Sequence, residues 1–247
     1  MRIDILTIFQ NFFLSPLNES LIKKAQENNL IQINIIDIRD FAKDKHRTVD
    51  DAPFGGGAGM VMLIEPLSLA LDSILSQDAS AKGEKEYHII LTSAQGKRFD
   101  QKKAKELSKR EHLIIICGHY KGIDERIKSL YELEEFSIGD YVLTGGELPA
   151  LVIIDSVVRL IPNFMGNFQS AETDSFYEGL LGYPEYTRPS EFKGLKVPEV
   201  LLSGDHQKIR EWRKKEALRR TLERRPDLLE KKVLNPEDKK LLSEIEK

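Results

Sequence analysis

A chain of 247 residues, 40% hydrophobic and 31% charged, can bury one large core, or one core and a smaller helical domain. Its net charge of −3 requires any nucleic-acid surface to be local, and its one cysteine, Cys117, excludes an intramolecular disulfide and a cysteine-rich zinc site. The start, Met1 to Phe9, carries Asp4 and is too short for a secretory leader, and no stretch approaches the roughly 20 apolar residues that span a bilayer, so the expectation is a soluble cytoplasmic protein.

In chain order, Ile3–Phe9 predicts a buried strand, Leu17–Asn28 a helix, and Ile31–Ile38 a second strand with near-alternating pattern. Strands alternating with helices argue for an α/β fold on a parallel sheet. Arg39–Met62 is different. It is dense in Arg, Lys, Asp and His and runs into Pro53-Phe-Gly-Gly-Gly-Ala-Gly-Met60, a first glycine loop. Such a segment is either a surface loop or a site that receives phosphate or a base on backbone amides. It lacks the Gly-Lys-Ser/Thr of a phosphate loop, which argues against nucleotide hydrolysis.

Pro66–Leu75 predicts an amphipathic helix and Gln77–Glu86 a polar connector. Tyr87–Thr92 predicts a third strand, ending in a second loop, Ser93-Ala-Gln-Gly96. Asp100–Lys109 predicts a helix. Glu111–Cys117 predicts a fourth strand, ending in a third loop, Gly118-His-Tyr-Lys-Gly122, and its apolar run makes Cys117 a buried thiol. Asp124–Leu130 predicts a short helix and Glu134–Ile138 a fifth strand. That strand leads into Gly139-Asp-Tyr-Val-Leu-Thr-Gly-Gly-Glu-Leu-Pro149 and a helix from Ala150 to about Leu160, with Leu151, Ile154, Val157 and Val158 apolar. Loops of this kind can grip a flat ligand with main-chain groups, or they can be turns that let a helix pack on a strand. Three of them follow the carboxyl ends of strands, where open α/β sheets bind ligands.

Residues 161–175 contain Pro162 and Gly166, sustain no period and read as an interdomain linker. The text is then turn-rich to Pro198. Leu201–Arg225 holds nine Lys and Arg against four acids, with Trp212 among them. Arg213, Lys214, Arg219 and Arg220 are the candidates for a phosphate-backbone footprint; the alternative is a solvated helix face. Asp227–Lys247 predicts a last helical hairpin.

Six motifs in this order resemble the bacterial tRNA (guanine-N1)-methyltransferases, over nearly the whole chain. They are His46-Arg-Thr-Val-Asp-Asp51, Gly55-Gly-Gly-Ala-Gly-Met60, Cys117-Gly-His-Tyr-Lys-Gly-Ile-Asp-Glu-Arg126, Ile138-Gly-Asp-Tyr-Val-Leu-Thr-Gly-Gly-Glu-Leu-Pro149, Thr173-Asp-Ser-Phe176, and Tyr186-Thr-Arg-Pro189 with Val200-Leu-Leu-Ser-Gly204. The resemblance implies an α/β methyltransferase domain with a deep trefoil knot at 1–160, a flexible linker at 161–175 and a small all-α tRNA-binding domain at 176–247. It implies a homodimer with active sites at the subunit interface. It implies S-adenosylmethionine held by Thr92, Ser93, Ala94, Gln95, Gly118, Ile138, Gly139, Asp140, Tyr141, Val142, Leu143, Gly145, Gly146 and Pro149. The reaction implied is methyl transfer to N1 of the guanine 3′ of the anticodon, position 37.

The resemblance places a general base at Asp174 and an essential arginine at Arg159. Without it, Asp174 also reads as a helix N-cap and Arg159 as a surface cation near a helix end. His46, Asp50, Gly55, Gly56, Gly57, Gly59, Met60 and Ser175 would face the RNA, although His46 by itself also reads as a polar loop residue. A magnesium dependence is implied, but no metal-ligand spacing is present. Two positions depart from the pattern. Lys121 stands where many relatives carry glutamate, so no acidic role carries over there, and Ala94 replaces a proline, which loosens the second loop. Two other classes compete: a knotted RNA methyltransferase acting on ribose 2′-hydroxyls, and a non-enzymatic RNA-binding protein.

Overall fold

In the computed structural model, which describes residues 1–78, 87–165 and 173–245, the apolar runs of the first half pair into one parallel sheet. Its strands are β1 (Arg2–Thr7), β2 (Gln32–Asp37), β5 (Tyr87–Arg98), β6 (His112–Cys117) and β7 (Leu133–Ser137), in the order β2-β1-β6-β5-β7. A two-residue hairpin, β3 (Asp50–Asp51) with β4 (Val61–Met62), stands apart from it. Central β6, His-Leu-Ile-Ile-Ile-Cys, is buried at every residue, as a strand covered on both faces must be. On one face Leu6, Leu91, Ile114 and Ile116 pack with Leu67, Leu71 and Ile74 of α2 (Ile64–Asp78). Residues of opposite parity, Ile3, Ile5, Ile90 and Ile115, are equally buried. There α5 (Glu147–Val158) packs on β6 and on α3 (Gln101–Leu107).

Several boundaries differ from the sequence reading for identifiable reasons. The first helix splits into a 3₁₀ turn at Pro16–Asn18 and α1 (Ser20–Glu27). The short helix before β7 narrows to α4 (Ile127–Leu130). Helix α5 starts at Glu147, not Ala150, because Ala150 N already donates to Gly146 O at 2.9 Å. Pro149 therefore lies inside the first turn, where its missing N–H costs nothing. Ile153 is buried in α5 while Leu151 is only partly so. Helix α2 runs on to Asp78; the rest of the expected connector, 79–86, lies outside the described residues.

The chain forms two compact units, Met1–Gly166 and Asn167–Lys247. Of the expected linker, 166–172 lies outside the described residues. The second unit is not all-α as expected: its described residues from 173 to 198 are turns and irregular chain with a hairpin of β8 (Glu191–Phe192) and β9 (Leu195–Lys196), and helices follow from Glu199 on. Its helices are α6 (Glu199–Leu202), α7 (His206–Arg224), α8 (Pro226–Lys231) and α9 (Pro236–Ile245). Asp205 caps α7 by accepting from Gln207 N and Lys208 N, both at 3.1 Å. Ala217, Leu218 and Thr221 of α7 are buried, and the Thr221 hydroxyl accepts from Leu181 N at 2.9 Å. No helix of the described residues is long and apolar enough to cross a membrane.

One buried polar cluster ties three strands together. Asp4 of β1 is fully buried. Its carboxylate meets Asn34 Nδ2 of β2 at 2.6 Å, His112 Nε2 of β6 at 2.8 Å and the Arg2 guanidinium at 2.7 Å. Burial pushes its pKa up, but the hydrogen bonds from His112, Asn34 and Arg2 outweigh that and hold it below the ordinary 3.8. A carboxylate depressed in the folded state stabilises above its ordinary pKa and loses that contribution as pH falls through the folded value. Asp4→Ala should cost about 3–5 kcal/mol near neutral pH, the cost of breaking a buried pair. Urea unfolding of wild type and variant should converge on acidification; a gap that stays constant down to low pH would remove the carboxylate from the account.

Candidate functional site

The Ser93–Gly96 segment of β5 and the loops after β6 and β7 line a cavity of about 260 Å³ at the carboxyl edge of the sheet. Thr92 is their common point. It is buried, and its hydroxyl donates to Ile116 O at 3.1 Å. Gly118 N points back to the same hydroxyl at 3.4 Å, and Gly146 N donates to Gly118 O at 2.8 Å. Gly146 has an ordinary φ of −83°. What requires glycine here is close approach: a Cβ would overlap the Thr92 hydroxyl and lie 2.7 Å from Gly118 N and 2.8 Å from Cys117 Cα.

The residues expected to hold a cofactor line this cavity, from Thr92–Gln95 through Gly118 to Ile138, Gly139, Tyr141–Leu143, Gly145, Gly146 and Pro149. Asp140 does not; it is exposed on the turn. The second loop is also not a strand end. Strand β5 continues to Arg98, with Thr92 and Lys97 both opposite Phe136 of β7, so Ser93–Gly96 bulges out of a running strand. A bulge beside a site re-aims side chains while keeping the sheet intact.

Sequence reasoning passed over the group beneath the third loop. Glu147, buried at the start of α5, accepts from Thr7 Oγ1 at 2.9 Å and has His119 Nε2 at 3.7 Å. His119 in turn lies against Phe9, ring centroids 4.9 Å apart, and lines the cavity. The acid in Gly-Gly-Glu-Leu-Pro was the available signal. Burial, with the Glu147 charge adding to it, pushes the Cys117 thiol well up, so it is an inert core thiol as expected.

The first glycine loop runs alongside the third. Met62 N donates to Gly122 O and Lys121 N to Met60 O, both at 3.0 Å. Burial, with the Asp50 carboxylate nearby adding to it, raises the Tyr120 pKa. Gly55, Gly56, Gly57 and Gly59 all adopt positive φ, so the loop cannot be rebuilt with ordinary residues. Its Phe54 is fully exposed. His46 is exposed further back, its N–H donating to Asp44 at 2.8 Å.

Arg159 closes α5 as a half-buried residue of the first unit. Asp174 belongs to the second unit, in a run of turns at 173–180, where no helix starts for it to cap. Beside it, Ser175 Oγ accepts from Gly182 N at 2.8 Å.

A family profile described as tRNA (Guanine-1)-methyltransferase TrmD matches residues 1–231. The chain belongs to the tRNA (guanine-1)-methyltransferase family. Relatives carrying the name tRNA (guanine-N(1)-)-methyltransferase match it end to end. The Desulforamulus reducens protein is 54% identical over 246 residues, covering 100% of this chain and 95% of that protein. The Moorella thermoacetica protein is 55% identical, covering 99% and 96%, and the Geobacillus kaustophilus protein 55%, covering 100% and 99%.

A tRNA (guanine-1)-methyltransferase needs cationic surface for its substrate, and the structure divides the candidates on α7. Lys214 Nζ lies 3.0 Å from Oδ1 of Asp238, which is buried on α9. Arg219 pairs with Glu216. The Arg213 guanidinium lies over the Tyr183 ring at 4.8 Å. Lys214 ties α7 to α9 and Arg219 is paired within α7, while Arg213 rests on Tyr183 and Arg220 is half-exposed on the same helix. Lys214→Ala, by leaving a buried carboxylate unpaired, should destabilise the second unit by about 3–5 kcal/mol. Arg220→Ala should instead leave stability alone and shrink the slope of log K for tRNA against log salt by about 0.7–0.9. Unfolding curves and salt titrations of the two variants check both; an unshifted midpoint for Lys214→Ala would dismiss the structural role. Among the described residues, no group of three or more His, Cys, Asp or Glu could hold a metal ion.

Proposed function

We propose that this chain transfers the methyl group of S-adenosylmethionine to N1 of the guanine 3′ of the anticodon, position 37, in tRNA. The observation that carries the reading is the three-loop cavity at the carboxyl edge of the sheet, in a chain of this family. Main-chain groups of Thr92–Gln95, Gly118 and Ile138–Leu143 would hold the cofactor, with Gly145, Gly146 and Pro149 behind them. When bound, the cofactor supplies a methyl carbon on a positively charged sulfur.

The remaining chemistry falls to side chains. Guanine N1 carries a proton at neutral pH and is a poor nucleophile until that proton leaves. Asp174 is the carboxylate assigned to take it, a role typically worth ~10²–10⁴-fold in rate. As the proton leaves, negative charge builds on O6, and Arg159 is the cation assigned to meet it. The His46–Met60 segment, with Asp50 and its glycines, would face the target nucleotide, and Ser175 would flank the base. Magnesium is implied by the resemblance; with no group of three or more His, Cys, Asp or Glu to hold it among the described residues, it would meet RNA, the cofactor carboxylate or isolated acids.

The reading includes a trefoil knot through the cavity loops, which the resemblance implies. It includes a homodimer, supported by the exposed Phe9, Phe12, Leu148 and Val152. A monomer in sedimentation at assay concentration would remove the dimer. It also assigns 1–160 to methyl transfer, 161–175 to a linker and 176–247 to tRNA binding. Methyl incorporation into two unmodified tRNA transcripts, one with guanine 3′ of the anticodon and one with adenine there, tests the substrate. The guanine transcript should be methylated and the adenine transcript not; equal incorporation would contradict the reading.

A further inference from the structure

Two motifs play no part in the reaction described above: Tyr186-Thr-Arg-Pro189 and Val200-Leu-Leu-Ser-Gly204. In the second unit they face each other across a cavity of about 380 Å³, within the range of small-molecule sites. Leu201 and Leu202 give it an apolar side, and Tyr186, Arg188 and Arg213 an aromatic and cationic one, with Glu185 at the wall. Tyr186 is 48% exposed and Leu202 60% exposed, so both present apolar surface that nothing in this unit covers. The Tyr186 ring is braced by Trp212, centroids 6.4 Å apart. Arg213, its guanidinium carbon 4.8 Å from the Tyr183 ring centroid, has its Nε buried without an acceptor among the described residues. A buried donor left unpaired costs free energy until an acceptor reaches it.

From this arrangement we infer that the cavity is a nucleotide subsite, which takes one unstacked base of the tRNA and holds its phosphate on Arg188 and Arg213. The inference rests on the tRNA reading above and adds a recognition element to it. RNA is read in sequence mostly at unpaired bases, splayed out onto aromatic rings and guanidinium planes and bonded along their edges. The cavity has each part: a ring in Tyr186, two guanidinium groups, an apolar floor, and in Glu185 an acceptor for a base N–H. An acidic peptide would satisfy the cations but would not use the ring and the leucines together. A base with its phosphate uses all of them. Segment 201–225, which supplies Leu201, Leu202 and Arg213 to the cavity, carries nine Lys and Arg against four acids in a chain of net charge −3, the same sign of complementarity.

The test pairs protein variants with abasic tRNA. Arg188→Ala with Leu202→Asp changes exposed positions, so the fold should hold, and an unchanged thermal midpoint checks this. Equilibrium binding of an unmodified transcript should weaken by roughly 5- to 150-fold, the range of one stacked base, while cofactor affinity is untouched. A series of transcripts, each lacking one unpaired base, should contain one that binds wild type as weakly as the parent transcript binds the variant. For that transcript the two losses should not add. Unchanged tRNA affinity in the variant overturns the inference and points to a protein ligand. Losses that add for every abasic position also overturn it, leaving only a surface phosphate contact. Wild type binding and methylating the parent transcript is the internal control: if that fails, the tRNA reading falls, and the subsite with it.

Discussion

Replacing Asp174 with asparagine is expected to cut single-turnover methyl transfer by about 10²–10⁴-fold while tRNA and cofactor bind as in wild type. Asparagine keeps the size of the side chain and most of its hydrogen bonding, but it cannot accept the guanine N1 proton. The loss should therefore fall on the chemical step and not on affinity. The turns at 173–180 favour this over a capping role, since no helix begins there for a cap to stabilise. Quench-flow at saturating cofactor and enzyme gives the rate directly. Near-wild-type turnover in the variant would clear Asp174 of the role and send the search to His46 and Asp50.

Gly146→Ala should abolish measurable cofactor binding and lower the unfolding midpoint of the first unit. The new methyl group must displace the Thr92 hydroxyl and the backbone of Cys117 and Gly118, none of which can give way without moving β5 or β6. Overpacking of this kind costs about 1–3 kcal/mol, or roughly 2–12 °C in a unit of this size. Gly57→Ala is the informative contrast. A Cβ there meets nothing within 4 Å, but φ is +111°, so the strain stays in the first glycine loop. That variant should keep its cofactor affinity. Calorimetry and thermal unfolding of both separate the two effects, and wild-type behaviour of Gly146→Ala would mean that the three loops do not meet as described.

The parts of this molecule that were legible in the sequence are those fixed locally. Apolar runs such as His112–Cys117 declare a buried strand, and the glycines of three loops declare where the backbone must turn or close in. What could not be read depends on partners far apart in the chain. The pattern stops at Thr92 as though the strand ended, yet β5 resumes because Lys97 finds Phe136 across the sheet. Asp4 looks like a stray charge in an apolar run until Asn34 and His112 come beside it. Lys214 looks like any cation of a basic helix until Asp238, on another helix, is buried against it. Glu147 escaped notice for a similar reason: its reach to Thr7 spans nearly the whole first unit. Periodicity reports which way a side chain faces, and only the fold reports what it meets there.

The atom that receives the methyl group is the most direct test of the whole account. After a single turnover with labelled S-adenosylmethionine, the tRNA is digested to nucleosides and the labelled product separated against standards. The account predicts 1-methylguanosine, in an amount equal to the methyl transferred, and none from the Asp174→Asn protein on the same timescale. Label in a 2′-O-methylated nucleoside, or at another atom of guanine, would contradict it, because neither product requires a base to strip the proton from N1.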